Sequence, residues 1–155
     1  MIWTEEKTYS CRQLSEILVS NRAVESNPEG LKANANLVRS LFEQKGCNVR
    51  TVENPDAPYR PIIIAEIGEK DTRPTVGFFG HYDVEEANPS KWSSNPWQLH
   101  GKDGRWFGRG VADNIVPLAQ RILLIDDLAA HCNLVFILQG EEEIGSPFAM
   151  EMYPN

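Results

Sequence analysis

The chain has 155 residues, 41% apolar and 24% charged, with a net charge of −7. That length suits one domain, which would bury about 68–70% of the unfolded chain's surface, and the composition is that of an ordinary globular protein. No apolar run approaches the roughly 20 residues of a membrane helix, and the absence of a basic run argues against nucleic-acid or anionic-membrane partners.

In chain order, "SCRQLSEILVSN" predicts a first helix, with Ser10 as N-cap and Leu14, Ile17 and Leu18 on one face. "NPEGLKANANLVRSLFEQKG" predicts a second. There Asn27 caps, Pro28 sits at N1, Leu31, Leu37, Val38, Leu41 and Phe42 form the stripe, and Gly46 stops the helix. "CNVRTVEN" alternates like a half-buried strand, and "PIIIAEIG" is a more continuous one. "TVGFFG" reads as a strand buried on both faces. "WQLHGKDGRWFG" reads as a hairpin turned by Lys102, Asp103 and Gly104. From about Asn114 to Ala130 one helix is expected, followed by the buried strand "NLVFILQG". The alternation means an α/β layered domain, with no repeat, linker or internal boundary. In such sheets, sites collect past the strand C-termini.

The start "MIWTEEKTYS" lacks a secretion-signal pattern. Cys11, Cys47 and Cys132 are widely spaced and read as reduced thiols of a cytoplasmic protein.

Three polar stations stand where buried elements end. His81 and Asp83 follow "TVGFFG", Asp113 follows the glycine-rich "GRGVA", and "EEE" at 141–143 follows "NLVFILQG". Each has an ordinary explanation: a satisfied histidine, an N-cap aspartate, a solvated acidic turn. Together they form the His, Asp and Glu ligand set of a zinc-type site. His81 and Asp83 are two apart and would face the same side of a strand, so Asp83 could orient His81 through its second ring nitrogen. Glu142 and Glu143 are adjacent and diverge, so one can bind metal while the other serves as a base.

"GHYDVEEANPSKWSSNPWQLHGKDGRWFGRGVADN" followed by "QGEEEIGSP" resembles the co-catalytic zinc exopeptidases and deacylases. That family includes glutamate carboxypeptidase, carnosinase-type dipeptidases, acetylornithine deacetylase and succinyl-diaminopimelate desuccinylase. The "GHYDV" and "EEEIGSP" wording looks closest to the dipeptidase and carboxypeptidase branch, and the second helix also looks like the family's. The resemblance implies a layered sheet with flanking helices, like the N-terminal half of a zinc-exopeptidase catalytic domain.

Residue by residue, the resemblance implies that His81 binds one metal and Asp83 orients it. Asp113 would bridge two metals, followed by a cis peptide to Asn114. Glu142 would be the general base and Glu143 a ligand of the second metal. Gly108, Arg109 and Gly110 would shape the loop before the bridge, and Glu141 has no role. The cofactor would be zinc, two per complete site, with cobalt or manganese as alternatives. The substrate would be a dipeptide, a C-terminal residue or an N-acyl amino acid.

The chain departs from the family pattern in several places. Each metal is one protein ligand short of the usual three; the family's further acidic residue and C-terminal histidine have no counterpart before Asn155. His100 and His131 read as surface residues. Ile115 and Val116 stand where the family has a lysine and a glycine. Trp92 and Trp97 match the family's aromatic loop or simply pack it. Residues 1–155 are therefore expected to form a single partial catalytic domain, without the lid and dimerisation domain or the C-terminal half. A second reading is an inactive module of the same lineage that binds a partner. An open sheet edge would favour self-association, which leaves a homo-oligomer open.

Overall fold

The computed structural model describes residues 3–69 and 73–152. Helix α1 spans Glu5–Ser20. It starts before the expected Ser10 because Thr4 is the N-cap, its side chain accepting from Lys7 N at 3.2 Å, with Glu5 and Glu6 suiting the positive end of the helix dipole. Ser10 is therefore an interior residue. The buried stripe is Cys11, Leu14, Ser15, Leu18 and Val19, while Ile17 is 50% exposed, contrary to expectation. Its position lies off the 3.6-residue stripe set by Leu14 and Leu18.

Helix α2 covers Pro28–Gln44. Asn27 holds the N-cap position but makes no side-chain cap; its Nδ2 donates to Asn21 O and Arg22 O instead, at 3.1 and 2.9 Å, tying down the turn between the helices. Leu31, Val38 and Phe42 are buried as expected, with Leu37 and Leu41 half-buried beside them.

Asn34, also buried, connects three elements. Its Nδ2 donates to Leu18 O and Tyr82 O at 3.3 and 3.0 Å, and its Oδ1 accepts from Asn21 at 2.9 Å. Asn34→Ala strips these bonds in a dry environment. It is expected to cost about 1–3 kcal/mol, read from the urea midpoint; an unchanged midpoint would contradict this account.

Strands β1 (Asn48–Val52) and β2 (Ile62–Ile67) form an antiparallel pair. Strand β3 runs Thr75–His81. The short strands β4 (His100–Lys102) and β5 (Arg105–Phe107) make the expected hairpin, turned by Asp103 and Gly104 with φ of 51° and 72°. Both values are positive, as a type I′ turn requires.

The single helix expected from Asn114 is two: α3 (Val116–Leu123) and α4 (Ile125–Ala129), broken at Leu124. A kinked turn, Val111–Ile115, precedes them, closed by Ile115 N donating to Gly110 O at 2.8 Å, with extended backbone at Asp113. Leu118, Ala119, Ile122 and Ile125 are buried in the core.

Strand β6 (Asn133–Gln139) and helix α5 (Pro147–Met152) complete the chain. The main sheet has the order β1-β2-β6-β3, antiparallel except for the parallel pair β3 and β6. One face, bearing Ile63, Ala65, Leu134, Phe136 and Leu138, packs with helix residues into the core. Phe136 sits between Phe42 and Phe78, with ring centroids 4.8 and 5.1 Å away. β6 is the buried central strand anticipated. β3 is instead an edge strand and is not covered on both faces: Phe79 is 50% exposed and Val76 is exposed too. An apolar run reports hydrophobicity but not sheet position, which pairing decides. Cys11, Cys47 and Cys132 are free and buried.

No helix among the described residues is long and apolar enough to cross a membrane.

Candidate metal centre

Because β3 and β6 run parallel, with His81 opposite Gln139, their C-terminal ends lie side by side. The chain beyond each therefore emerges at the same edge. Past β3 it is held extended by Tyr82 N donating to Gln139 O (2.9 Å) and Val84 N donating to Ala23 O (2.8 Å). Tyr82 is fully buried and its hydroxyl donates to Pro61 O at 2.6 Å, which fixes the residue between His81 and Asp83.

His81 is 5% exposed. Its Nδ1 lies 3.1 Å from Asp83 O and 3.3 Å from Asp83 Oδ1. This leaves Nε2 to face outward, 2.9 Å from Asp113 Oδ1 and 4.0 Å from Glu142 Oε2. The buried Asp83 reaches a second station through Oδ2, which accepts from Glu143 N at 3.0 Å.

Asp113 arrives from the kinked turn with its side chain 79% exposed. Gly110 enters that turn at φ 78°, and a Cβ there would lie 2.4 Å from Val84 Cγ1, so only glycine allows the close approach. Arg109 steadies the preceding loop: its N donates to Pro96 O at 2.7 Å and its Nη2 to Glu86 O at 3.1 Å. The Asp113–Asn114 peptide is cis, as the resemblance implies. Asn114 is buried and its Nδ2 donates to His81 O at 3.4 Å. Ile115, apolar where the family pattern has a polar residue, is fully buried in the core.

Glu142 and Glu143 occupy a 3-10 turn, Glu142–Ile144, directly after β6. All three stations thus meet. Ligand atoms of His81, Glu142 and Glu143 lie within 4.8 Å of one another, and Asp113 reaches the same Nε2 of His81 at 2.9 Å. His100 and His131 are exposed and outside this cluster. Trp92 and Trp97 carry the guanidinium groups of Arg109 and Arg22 over their rings, at 5.4 and 4.9 Å.

Burial alone would lower the His81 pKa, but hydrogen bonds to Asp83 and Asp113 and the charge of Asp83 outweigh it and raise it from 6.5 to about 9. Glu143 is raised by burial and by the charges of Asp83 and Asp113, against the pull of His81. These groups together favour the protonated His81 ring and crowd the carboxylates around it. Such a set accommodates a cation, because an imidazole nitrogen and several carboxylate oxygens converge.

Sequence reasoning gave Glu141 no role, yet it is 2% exposed. Its Oε1 accepts from Ala149 N at 2.9 Å, and its Oε2 lies 3.4 Å from Asn54 Nδ2 and 3.6 Å from Arg60 Nε. Adjacent glutamates carry no local signal of which one turns inward, because the partners come from elsewhere in the chain.

The family model for peptidase family M20/M25/M40 matches residues 77–153. The chain is 39% identical to the Beta-Ala-His dipeptidase of Mus musculus over 57% of its own length and 19% of the relative's. It is 30% identical to the Cysteinylglycine-S-conjugate dipeptidase of Corynebacterium striatum over 86% of this chain and 30% of that one. The solved structure of the di-peptidase Dug1p from Saccharomyces cerevisiae superposes with a TM-score of 0.83 at 25% identity, covering 96% of this chain and 35% of the other. The chain belongs to peptidase family M20/M25/M40, and spans about a fifth to a third of the length of these relatives.

Proposed function

We propose that the chain carries one wall of a metal-dependent peptidase site. In this reading His81, Asp113 and Glu143 are metal ligands, Asp83 orients His81, and Glu142 is the general base. The observation that carries it is the convergence of His81 Nε2 with Asp113 (2.9 Å) and Glu142 (4.0 Å), with Asp83 bonded to both His81 and the Glu143 amide. Zinc suits the imidazole and carboxylate donors, with cobalt or manganese as substitutes. A complete site would take two ions, and residues 1–155 would form one partial catalytic domain.

Bound zinc would supply Lewis acidity, making water a better nucleophile and polarising the scissile carbonyl. The chain's residues do the rest. Asp83 keeps the His81 Nδ1 proton in place, so Nε2 presents its lone pair outward. Glu142, half-exposed and directed at the cluster, takes the proton of the attacking water and returns it to the leaving amine. Glu143 is held through its backbone and offers its carboxylate. The names of the relatives favour a dipeptide over a C-terminal residue or an N-acyl amino acid.

A second reading, a zinc-holding module without turnover, is favoured by the 79% exposure of the Asp113 side chain, which leaves the outer wall of the site open. One experiment separates the two: zinc stoichiometry by mass spectrometry, followed by hydrolysis of β-Ala-His and Cys-Gly by the zinc-loaded chain. Bound zinc with turnover supports the peptidase; bound zinc without turnover supports the module. No bound zinc overturns both.

A further inference from the structure

We infer that Glu141 is a positioning residue of the metal centre, holding the turn that presents Glu142 and Glu143; this rests on the metal-site reading above. An ionised carboxylate is unfavourable in the interior unless donors surround it. Glu141 has two hydrogen-bond donors and one cation beside it. Ala149 N at the start of α5 donates to Oε1, while Asn54 and Arg60, on the connection between β1 and β2, face Oε2 at 3.4 and 3.6 Å. Both partners are themselves held. Asn54 Oδ1 accepts from Asp56 N and Ala57 N at 3.0 and 3.2 Å, and Arg60 also pairs with Glu25.

The backbone of Glu141 is fixed as firmly as its side chain. Its carbonyl accepts from Ser146 N at 2.8 Å and from Ile144 N at 3.3 Å, and Gly145 N donates to Glu142 O at 2.9 Å. Residues 141–146 thus close into a small loop with one buried anchor. An apolar side chain could fill the same space, but it would not fix a direction. Hydrogen bonds do, and the direction here decides whether Glu143 N meets Asp83 Oδ2 and whether Glu142 faces His81 Nε2. Glu141 touches neither His81 nor Asp113 in this arrangement, so it acts through its neighbours.

The test compares the wild-type chain with Glu141→Gln, which keeps the shape but turns a donor toward Asn54 and Arg60. Val49→Ala, on the far strand β1, serves as a control for general loss of stability. Two quantities are read: amide hydrogen exchange of the metal-free proteins, and zinc affinity by titration with the ion alone. Glu141→Gln is expected to speed exchange at Glu143 and Gly145 while leaving Phe136 in β6 protected. It should weaken zinc binding by about 10–100-fold, the range for residues that support a ligand without being one. Val49→Ala should leave zinc affinity at the wild-type level.

Wild-type zinc affinity in Glu141→Gln overturns the positioning role, whatever the exchange shows. If the wild-type chain itself binds no zinc, the metal-site reading fails, and exchange at Glu143 alone decides whether Glu141 holds the turn: unchanged exchange overturns the inference. Should Glu141→Gln not fold, Arg60→Met removes the charge facing Oε2 at similar volume and is expected to shift both quantities the same way.

Discussion

His81→Ala is expected to lower zinc affinity by more than about 100-fold, beyond the 10–100-fold of a supporting residue. Among the described residues His81 supplies the only imidazole of the cluster, and its Nε2 faces Asp113 at 2.9 Å and Glu142 at 4.0 Å. Without it the site offers carboxylates alone, a donor set suited to harder ions such as magnesium or manganese. Zinc should therefore suffer more than manganese in the same titration. The metal-free variant should also lose about 1–3 kcal/mol of stability, since the buried main-chain carbonyl of Asp83 loses its hydrogen bond from the ring. Equal losses for zinc and manganese would argue that His81 is structural, and an unchanged zinc affinity would remove it from the site.

The metal-free protein is expected to lose stability between about pH 6.5 and about pH 9, and zinc is expected to reverse that trend. The folded His81 pKa, about 9, lies above its ordinary value of 6.5. Folding thus favours the protonated ring, and its contribution is fully present below about pH 6.5 and lost as pH rises through about 9. Zinc competes for the same ring nitrogen as the proton, so its affinity should rise across the same window, at up to tenfold per pH unit while one proton is displaced. Asp83→Asn removes a carboxylate that raises this pKa and should move the window to lower pH. Urea midpoints in chelator at pH 6 and pH 9.5, for both proteins, test the first part. A flat wild-type profile, or an Asp83→Asn profile identical to the wild type, would contradict the account.

How much of this was legible beforehand depended on the range of the interaction. The stripe of α2, the hairpin at Asp103 and Gly104, and the strands β1, β2 and β6 follow from periodicity and turn chemistry within a few residues. Where a competing local signal existed, the reading slipped: Thr4 rather than Ser10 capped α1, and the apolar run through α3 and α4 concealed the break at Leu124. The stations at His81, Asp113 and Glu142 were visible because polar residues ended apolar elements. Their convergence, and the inward turn of Glu141 rather than its neighbours, were not visible.

By itself the sequence determined most of the helices and strands, that they build a layered α/β sheet, and which polar side chains stand at the element ends. Those properties arise from contacts three or four residues apart on a helix and two apart on a strand. Only the tertiary structure decided that β3 lies at the edge and β6 at the centre, that the parallel pair puts Asp83 beside the Glu143 amide, and that Glu141 finds Asn54, Arg60 and Ala149. Each of these joins residues distant in the chain, where the deciding energies are strand pairing and the satisfaction of buried polar groups, neither of which leaves a local pattern.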